Sequence, residues 1–370
     1  MARGIFLSVW LLALSFFSAT EALPAPASDT PYQMPRDLSD GLTVGNAADH
    51  GLSIDALNAM AAARQSDSWQ KIDSILIMKD STLIFESYHN FYAVGRRHDM
   101  ASITKSITSL LVGIAIDQGH ISGVDTPIYT YHTDTPYSDY FDEAKRAITI
   151  EDVLTMRHGL DCDDADDTNM KRFRAWLRSA DRMADILSLP MVHEPGTHTA
   201  YCTMATDLLR PVLEGATGMS VQDFAQSALF SPLGILNFGW NETDPDQLGM
   251  GYNGRARPRD VIRIGQMVAD QGVWQDEQIV SSDWIEQSFT PRGQLYGIDY
   301  GYLWYSEPYE IDGRTIPSRL AMGQGGQLLI LFPTEDAVVM INAHDWDGKL
   351  NFYDFVAQWV LPAISSDRRE

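Results

Sequence analysis

Apolar positions recur at helical spacing from Leu52 to Ala63, and Ser53 stands where an N-cap belongs. Ile75 to Met78 and Leu83 to Phe85, joined through Lys79-Asp80-Ser81-Thr82, read as a β-hairpin. Ile107, Leu110, Leu111 and Ile114 then share one helical face, with Gly119 at the C-terminal cap position. Between about 148 and 290 the pattern is mostly helical; Val221 to Leu229 is opened by Ser220 with Asp223 three residues on. Tyr300-Gly301-Tyr302-Leu303-Trp304 reads as a strand. Gln327 to Phe332 and Ala337 to Asn342 make a second hairpin around Pro333-Thr334-Glu335-Asp336, and Phe352 to Leu361 closes with helical periodicity. Strands at both ends and helices between them predict an α+β fold. Its antiparallel sheet is built from the N- and C-terminal segments with flanking helices, and a mostly helical region is inserted at about 106–290.

Composition narrows the function more than the fold. Apolar residues are 45% and charged residues 21%, an ordinary globular mixture. Asp+Glu 50 against Lys+Arg 27 gives a net charge of −23. A field of that sign repels phosphate backbones and anionic lipid, so nucleic acid is not expected as a partner. Arg3, the apolar run Ile5 to Ala19 and the small residue Ala22 predict a signal peptide over residues 1–22, followed by an extended Pro-rich segment over 23–50. No later apolar run reaches transmembrane length. The mature chain, one domain over 51–366, is therefore expected to be exported, to a periplasm or as a secreted protein.

Two cysteines, Cys162 and Cys202, are too few for a disulfide framework or a four-thiolate zinc site. After export they could pair, closing a loop worth about 3–4 kcal/mol, or stay buried as thiols. Asp161, Asp163, Asp164, Asp166 and Asp167 invite a calcium reading. They lack the loop glycine, and Arg172 stands where an EF-hand places its bidentate Glu, so a solvated acidic loop is expected instead. The nine histidines have no metal spacing, and only His198, close before Tyr201, draws attention. No metal and no cofactor is expected. Walker, G-x-G-x-x-G, H-E-x-x-H and G-x-S-x-G motifs are all absent.

The positive signal is Ser102-Ile103-Thr104-Lys105. At i and i+3 on a helix, hydroxyl and amine lie on one face. At a helix start the free N–H groups and the dipole favour an alkoxide and a developing oxyanion. To act as a base, the lysine must fall from about 10.4 to near 7, roughly 4–5 kcal/mol of environmental bias. Ser68-Trp69-Gln70-Lys71 is a second copy, but it precedes a strand and opens no helix.

The stretch Met100 to Gly113 resembles the active-serine helix of the serine β-lactamase and penicillin-binding-protein superfamily, in its class C-like branch of esterases, D-aminopeptidases and 6-aminohexanoate-dimer hydrolases. Further segments are similar in the same order: Ile150 to Leu160, Glu194-Pro195-Gly196-Thr197 with Tyr201-Cys202-Thr203, Arg257 to Asp260, Tyr300 to Trp304, and Gly323 to Gln327. The resemblance covers roughly 50 to 362. It implies Ser102 as acylated nucleophile, Lys105 as proton acceptor and Tyr201 as second base, a phenol running partly as phenolate beside an ammonium. It implies an oxyanion hole from the N–H groups of Ser102 and Gln327, with Gln324, Gly325, Gly326 and Thr203 on the substrate. Two departures matter. Gln324-Gly325-Gly326 stands where Lys-Thr-Gly or His-Thr-Gly is usual, with Arg319 the nearest cation in sequence, and Thr203 replaces an Asn. Without that cation, about 1.5–3 kcal/mol of carboxylate recognition is lost. A small neutral ester or amide is thus expected as substrate, ahead of a β-lactam or a D,D-carboxypeptidase substrate. A non-catalytic cell-wall-associated binding module is the rival of another class.

Overall fold

In a computed structural model, residues 32–240, 248–311 and 313–365 are described. The signal peptide expected over 1–22 and residues 23–31 of the Pro-rich segment lie outside them. The main sheet has eight antiparallel strands. From one edge to the other they are Thr82–Tyr88, Ile72–Lys79, Ala337–Ala343, Gln327–Phe332, Arg319–Gly323, Tyr305–Ser306, Ile298–Tyr300 and Gly293–Leu295. The two predicted hairpins make up one half of it, from the Thr82–Tyr88 edge inward, and they meet where Ile75 pairs with Ile341 and Ile77 with Val339. Both strands of that seam are buried along their whole length, which is why they read as unbroken apolar runs rather than alternating ones. Asp80 and Ser81 both take positive φ, the conformation a two-residue hairpin turn demands. The α+β class and the antiparallel sheet joining the two ends are as expected.

The helix Ile103–Asp117 and the helix Pro258–Ala269 pack on the sheet. Gly265 of the second lies so close to Leu329 and Val338 that a methyl group there would stand 2.6 and 2.8 Å from them. Part of the mostly helical stretch is therefore a sheet layer. On the opposite face Phe332 meets Tyr309, which stacks on Tyr353 of the C-terminal helical segment. Ser53 caps the helix Ile54–Arg64 through Ala56 N, and Gly119, at φ +75°, follows the end of Ile103–Asp117. Tyr300 to Trp304 departs from the prediction. Strands occupy Ile298–Tyr300 and Tyr305–Ser306, and Gly301 to Trp304 is a turn closed by Gly301 N–H to Trp304 O. Leu303 sits at φ +60°, and the aromatic residues that imitate a strand are buried on both sides of the bend.

Two long-range clamps fix the ends of this scaffold. Arg259, with a side chain only 1% exposed, makes a bidentate contact to Glu86 at 2.9 and 2.8 Å and reaches Asp40 at 3.0 Å. It also donates to the Arg36 carbonyl, tying the N-terminal segment to the sheet edge. Cys162 and Cys202 are joined as a disulfide, Cα to Cα 5.5 Å. Arg259→Ala leaves two carboxylates without their buried partner and is expected to lower unfolding free energy by about 3–5 kcal/mol in urea titration. Replacing both cysteines by serine reopens a loop of 40 residues and should lower it by about 4 kcal/mol in the same measurement.

Candidate active site

The turn into the helix Ile103–Asp117 carries stored strain. Ala101 adopts φ +44°, a left-handed conformation unusual for a residue with a Cβ. Asp99 Oδ1 accepts its N–H at 2.8 Å, and Thr104 Oγ1 donates to its carbonyl at 2.7 Å. Thr104 also accepts the Gly254 N–H at 3.1 Å, locking the bend to the neighbouring small sheet. Ser102 follows directly at the helix N-terminus, and its hydroxyl makes no capping bond. That leaves Oγ available, while its N–H belongs to the first turn, where no intrahelical partner exists.

Lys105 lies one turn on and is only 2% exposed. Its Nζ donates to Ser102 Oγ at 3.0 Å, Thr203 Oγ1 at 3.0 Å and Gly251 O at 2.9 Å. Burial brings the ammonium down to about 7, against the pull of the Asp164 and Asp207 carboxylates in the opposite direction. Burial in turn pushes Asp207 up to about 7. The Tyr201 ring stands 4.7 Å from Nζ, and its phenol lies beside the hydroxyls of Ser102 and Thr203. Desolvation raises this phenol well above its ordinary value, and Asp164 adds to the shift. At neutral pH it is a proton-bearing acid, which corrects the expected partial phenolate. Ser102, Lys105, Tyr201 and Thr203 thus converge, although 98 residues separate Lys105 from Thr203.

The glycine-rich element is placed differently. Gln327 begins an interior strand, flanked by Arg319–Gly323 and Ala337–Ala343, so its N–H lies in the sheet plane and cannot face Ser102. Its side chain donates to Ala343 O at 2.6 Å and accepts from Asn342 at 2.9 Å. Gln324 is exposed in the hairpin turn. Gly325 and Gly326 take φ +84° and +86° beneath Trp346 and Phe352, whose rings leave 2.7 and 2.1 Å for any added Cβ. Aromatic cover, not substrate approach, explains the pair. Arg319 directs its guanidinium over the Phe289 ring at 4.7 Å.

Sequence reading missed four groups. Gly251 supplies the carbonyl to Lys105, and a side chain there would strike Thr206 Oγ1 at 2.2 Å. Asp207 accepts the Met250 N–H at 2.8 Å and holds that segment in place, with Thr108 donating to Met250 O at 2.6 Å. Asp164, assigned to a solvated loop, instead turns inward to accept the Thr203 N–H at 3.0 Å. Its neighbours do stay outside: Asp161 meets Arg172, and Asp166 caps the helix Asp167–Trp176. The fourth is Met322. Ser318 O accepts from Glu307 N, so alternate residues of that strand present their backbone to the same edge. Met322 has this parity, and the adjacent strand ends at Tyr305, paired with Leu320, because the chain turns away at Gly301 to Trp304. The strand end abuts the nucleophile turn: an added Cβ on Gly323 would stand 2.5 Å from Met100 O. Of the remaining sequence candidates, Lys71 is ion-paired to Asp345 and Asp347. His198 is an exposed residue stacked on His193 at 4.1 Å.

Among the described residues, the one cluster with metal-ligand spacing is Cys162, Asp164 and Cys202. Its two sulfurs are bonded to each other. No helix there is long and apolar enough to cross a membrane.

Known proteins share the fold and much of the length of this chain. The chain is 25% identical over 313 residues to a 6-aminohexanoate-dimer hydrolase of Paenarthrobacter ureafaciens, covering 78% of this chain and 76% of that one. A penicillin-binding protein from Bacillus halodurans shares the fold at TM-score 0.65 and 18% identity, over 80% of this chain and 98% of the other. A family VIII carboxylesterase does so at TM-score 0.67 and 15% identity, over 86% and 98%. The family described as Beta-lactamase matches residues 70–359. The chain belongs to that beta-lactamase family of hydrolases.

Proposed function

We propose that this chain is an exported serine hydrolase that forms an acyl-enzyme on Ser102 and cleaves small neutral esters or amides. The observation that carries it is Lys105 Nζ, buried and 3.0 Å from the uncapped Ser102 hydroxyl. Attack forms the Oγ–carbon bond as the Ser102 proton passes to the neutral Lys105 amine, and the carbonyl π pair moves onto oxygen. The N–H groups of Ser102 and Met322 hold that oxyanion; Met322 replaces Gln327 in this role. Collapse expels the alcohol or amine, which takes a proton through Tyr201, resupplied from Lys105. Water then attacks the ester, gives a proton back along the same route, and releases acid and free Ser102.

Substrate charge follows from the surroundings. Net charge is −23, and Asp163 and Asp164 lie near Tyr201 and Tyr296. A carboxylate on the substrate meets this field with Arg319 turned toward Phe289. A relative named for a 6-aminohexanoate dimer and a neighbour called a carboxylesterase frame amide and ester as the bond types. Export is supported by the signal-like residues 1–22 and by the disulfide, which persists in oxidising compartments.

Intact-mass spectrometry with a fluorophosphonate probe should show one adduct, lost in Ser102→Ala; an unmodified wild type, or equal labelling of the variant, would overturn the proposal. Short-chain p-nitrophenyl esters should turn over faster than nitrocefin, and the reverse order would move the chain to the β-lactamase reading. The base must be unprotonated to act, so kcat/KM should rise with pH through about 7, where Lys105 sheds its proton. Lys105→Ala should lower kcat by roughly 10²–10⁴-fold.

A further inference from the structure

A neutral lysine amine has two N–H bonds and one lone pair, but Lys105 has three hydrogen-bond partners. Ser102 can give up its proton only if the lone pair points at it. Gly251 O accepts and cannot donate, so it takes one N–H. Ser102 and Thr203 both carry hydroxyls that could donate to the lone pair. If Thr203 did so, the amine would have nothing left to receive the Ser102 proton.

We propose that Asp164 is a positioning residue that takes the hydrogen bond of the Thr203 hydroxyl and thereby turns the Lys105 lone pair onto Ser102. Asp164 Oδ2 accepts the Thr203 N–H at 3.0 Å, and the Thr203 hydroxyl lies beside the same carboxylate. Its Oδ1 is buried and makes no hydrogen bond, to the Thr203 hydroxyl or to any other donor, so it is the acceptor left open for that hydroxyl to swing onto. The Tyr201 phenol is the other oxygen near that hydroxyl, and a neutral phenol is a weaker acceptor than a carboxylate. The arrangement is braced covalently. Asp164 follows Cys162 by two residues and Thr203 follows Cys202 by one, while Asp164 N–H donates to Tyr201 O at 2.7 Å.

This rests on Lys105 being the base for Ser102. The protons balance without a further transfer. The Ser102 proton lands on Nζ, and the ammonium then donates to Ser102 Oγ, Thr203 Oγ1 and Gly251 O. Thr203 keeps its own proton, and none reaches Asp164. Thr203 earns its place over the usual Asn because its single oxygen can serve both neighbours in turn.

The test is a double-mutant cycle read in kcat/KM against pH with a p-nitrophenyl ester. In Asp164→Asn the only carbonyl oxygen is neutral and already engaged by the Thr203 N–H. The plateau should fall on the order of tenfold. The charged and titratable groups facing Lys105 are Asp164, Asp207 and Tyr201, with Arg182 and Arg210 behind Asp207. Removing the Asp164 charge withdraws support from the ammonium, so the acid limb should move to lower pH. Thr203→Val should lose activity and Thr203→Ser should retain it within about threefold, while Asp164→Asn added to Thr203→Val should cost less than about twofold more. An equal cost of Asp164→Asn in both backgrounds, or an unmoved plateau and limb, overturns the proposal. Should Asp164→Asn fail to fold, equal losses in Thr203→Ser and Thr203→Val overturn it instead. Fluorophosphonate labelling of Ser102 separates the readings: no label on the wild type sinks the serine hydrolase itself, whereas label without coupling sinks only the part given to Asp164.

Discussion

Removing the Lys105 amine from water is the constraint on which the rest of the structure depends. An ammonium in a dry interior is costly unless every N–H is met, and the cost falls on the charged form alone. Here three oxygens meet it, drawn from its own helix, the Tyr201-to-Thr203 segment and the Gly251 strap. Burial then lowers the proton affinity, and the carboxylates of Asp164 and Asp207 limit how far it falls. The result is an amine poised near neutrality beside a hydroxyl with no other task.

Much of the surrounding architecture serves that placement. The strained Ala101 points Ser102 out of the turn, and Asp99, Thr104 and Gly254 hold the strain. Asp207 and Thr108 fix the backbone of Met250, and so the carbonyl of Gly251 next to it. The disulfide pins the acidic loop to the segment with the phenol. Thr104, Lys105, Ser106 and Thr108 of the nucleophile helix find partners in the same way, and Ser109 alone does not. Ser106 donates to Leu303 O, which is why a helix buried on all sides tolerates so many hydroxyls.

What the sequence revealed divides by range of interaction. Ser102 and Lys105 are three residues apart, so helical geometry alone brings them together, and the hairpins announce themselves through apolar runs closed by short turns. Tyr201 required the resemblance, because no local rule relates a phenol to an amine so far along the chain. Gly251 and Lys105 are 146 residues apart and their contact involves a carbonyl, which no residue type advertises. Asp164 was hidden among acidic neighbours that do face solvent; only the partner Thr203 distinguishes it. Gln327 was misplaced since adjacency to two glycines suggested a site edge, whereas strand order puts it inside the sheet. Tyr300 to Trp304 misled through composition: aromatic residues packed around a bend resemble those of a strand.

The most direct measurement is a carbon-13 NMR titration of Lys105 Cε in the folded protein, assigned by comparison with Lys105→Arg. The account predicts a single transition with its midpoint near 7, as the buried amine loses its proton. A midpoint at the ordinary lysine value of about 10.4 would contradict it, because an amine still charged at neutral pH has no lone pair to offer Ser102.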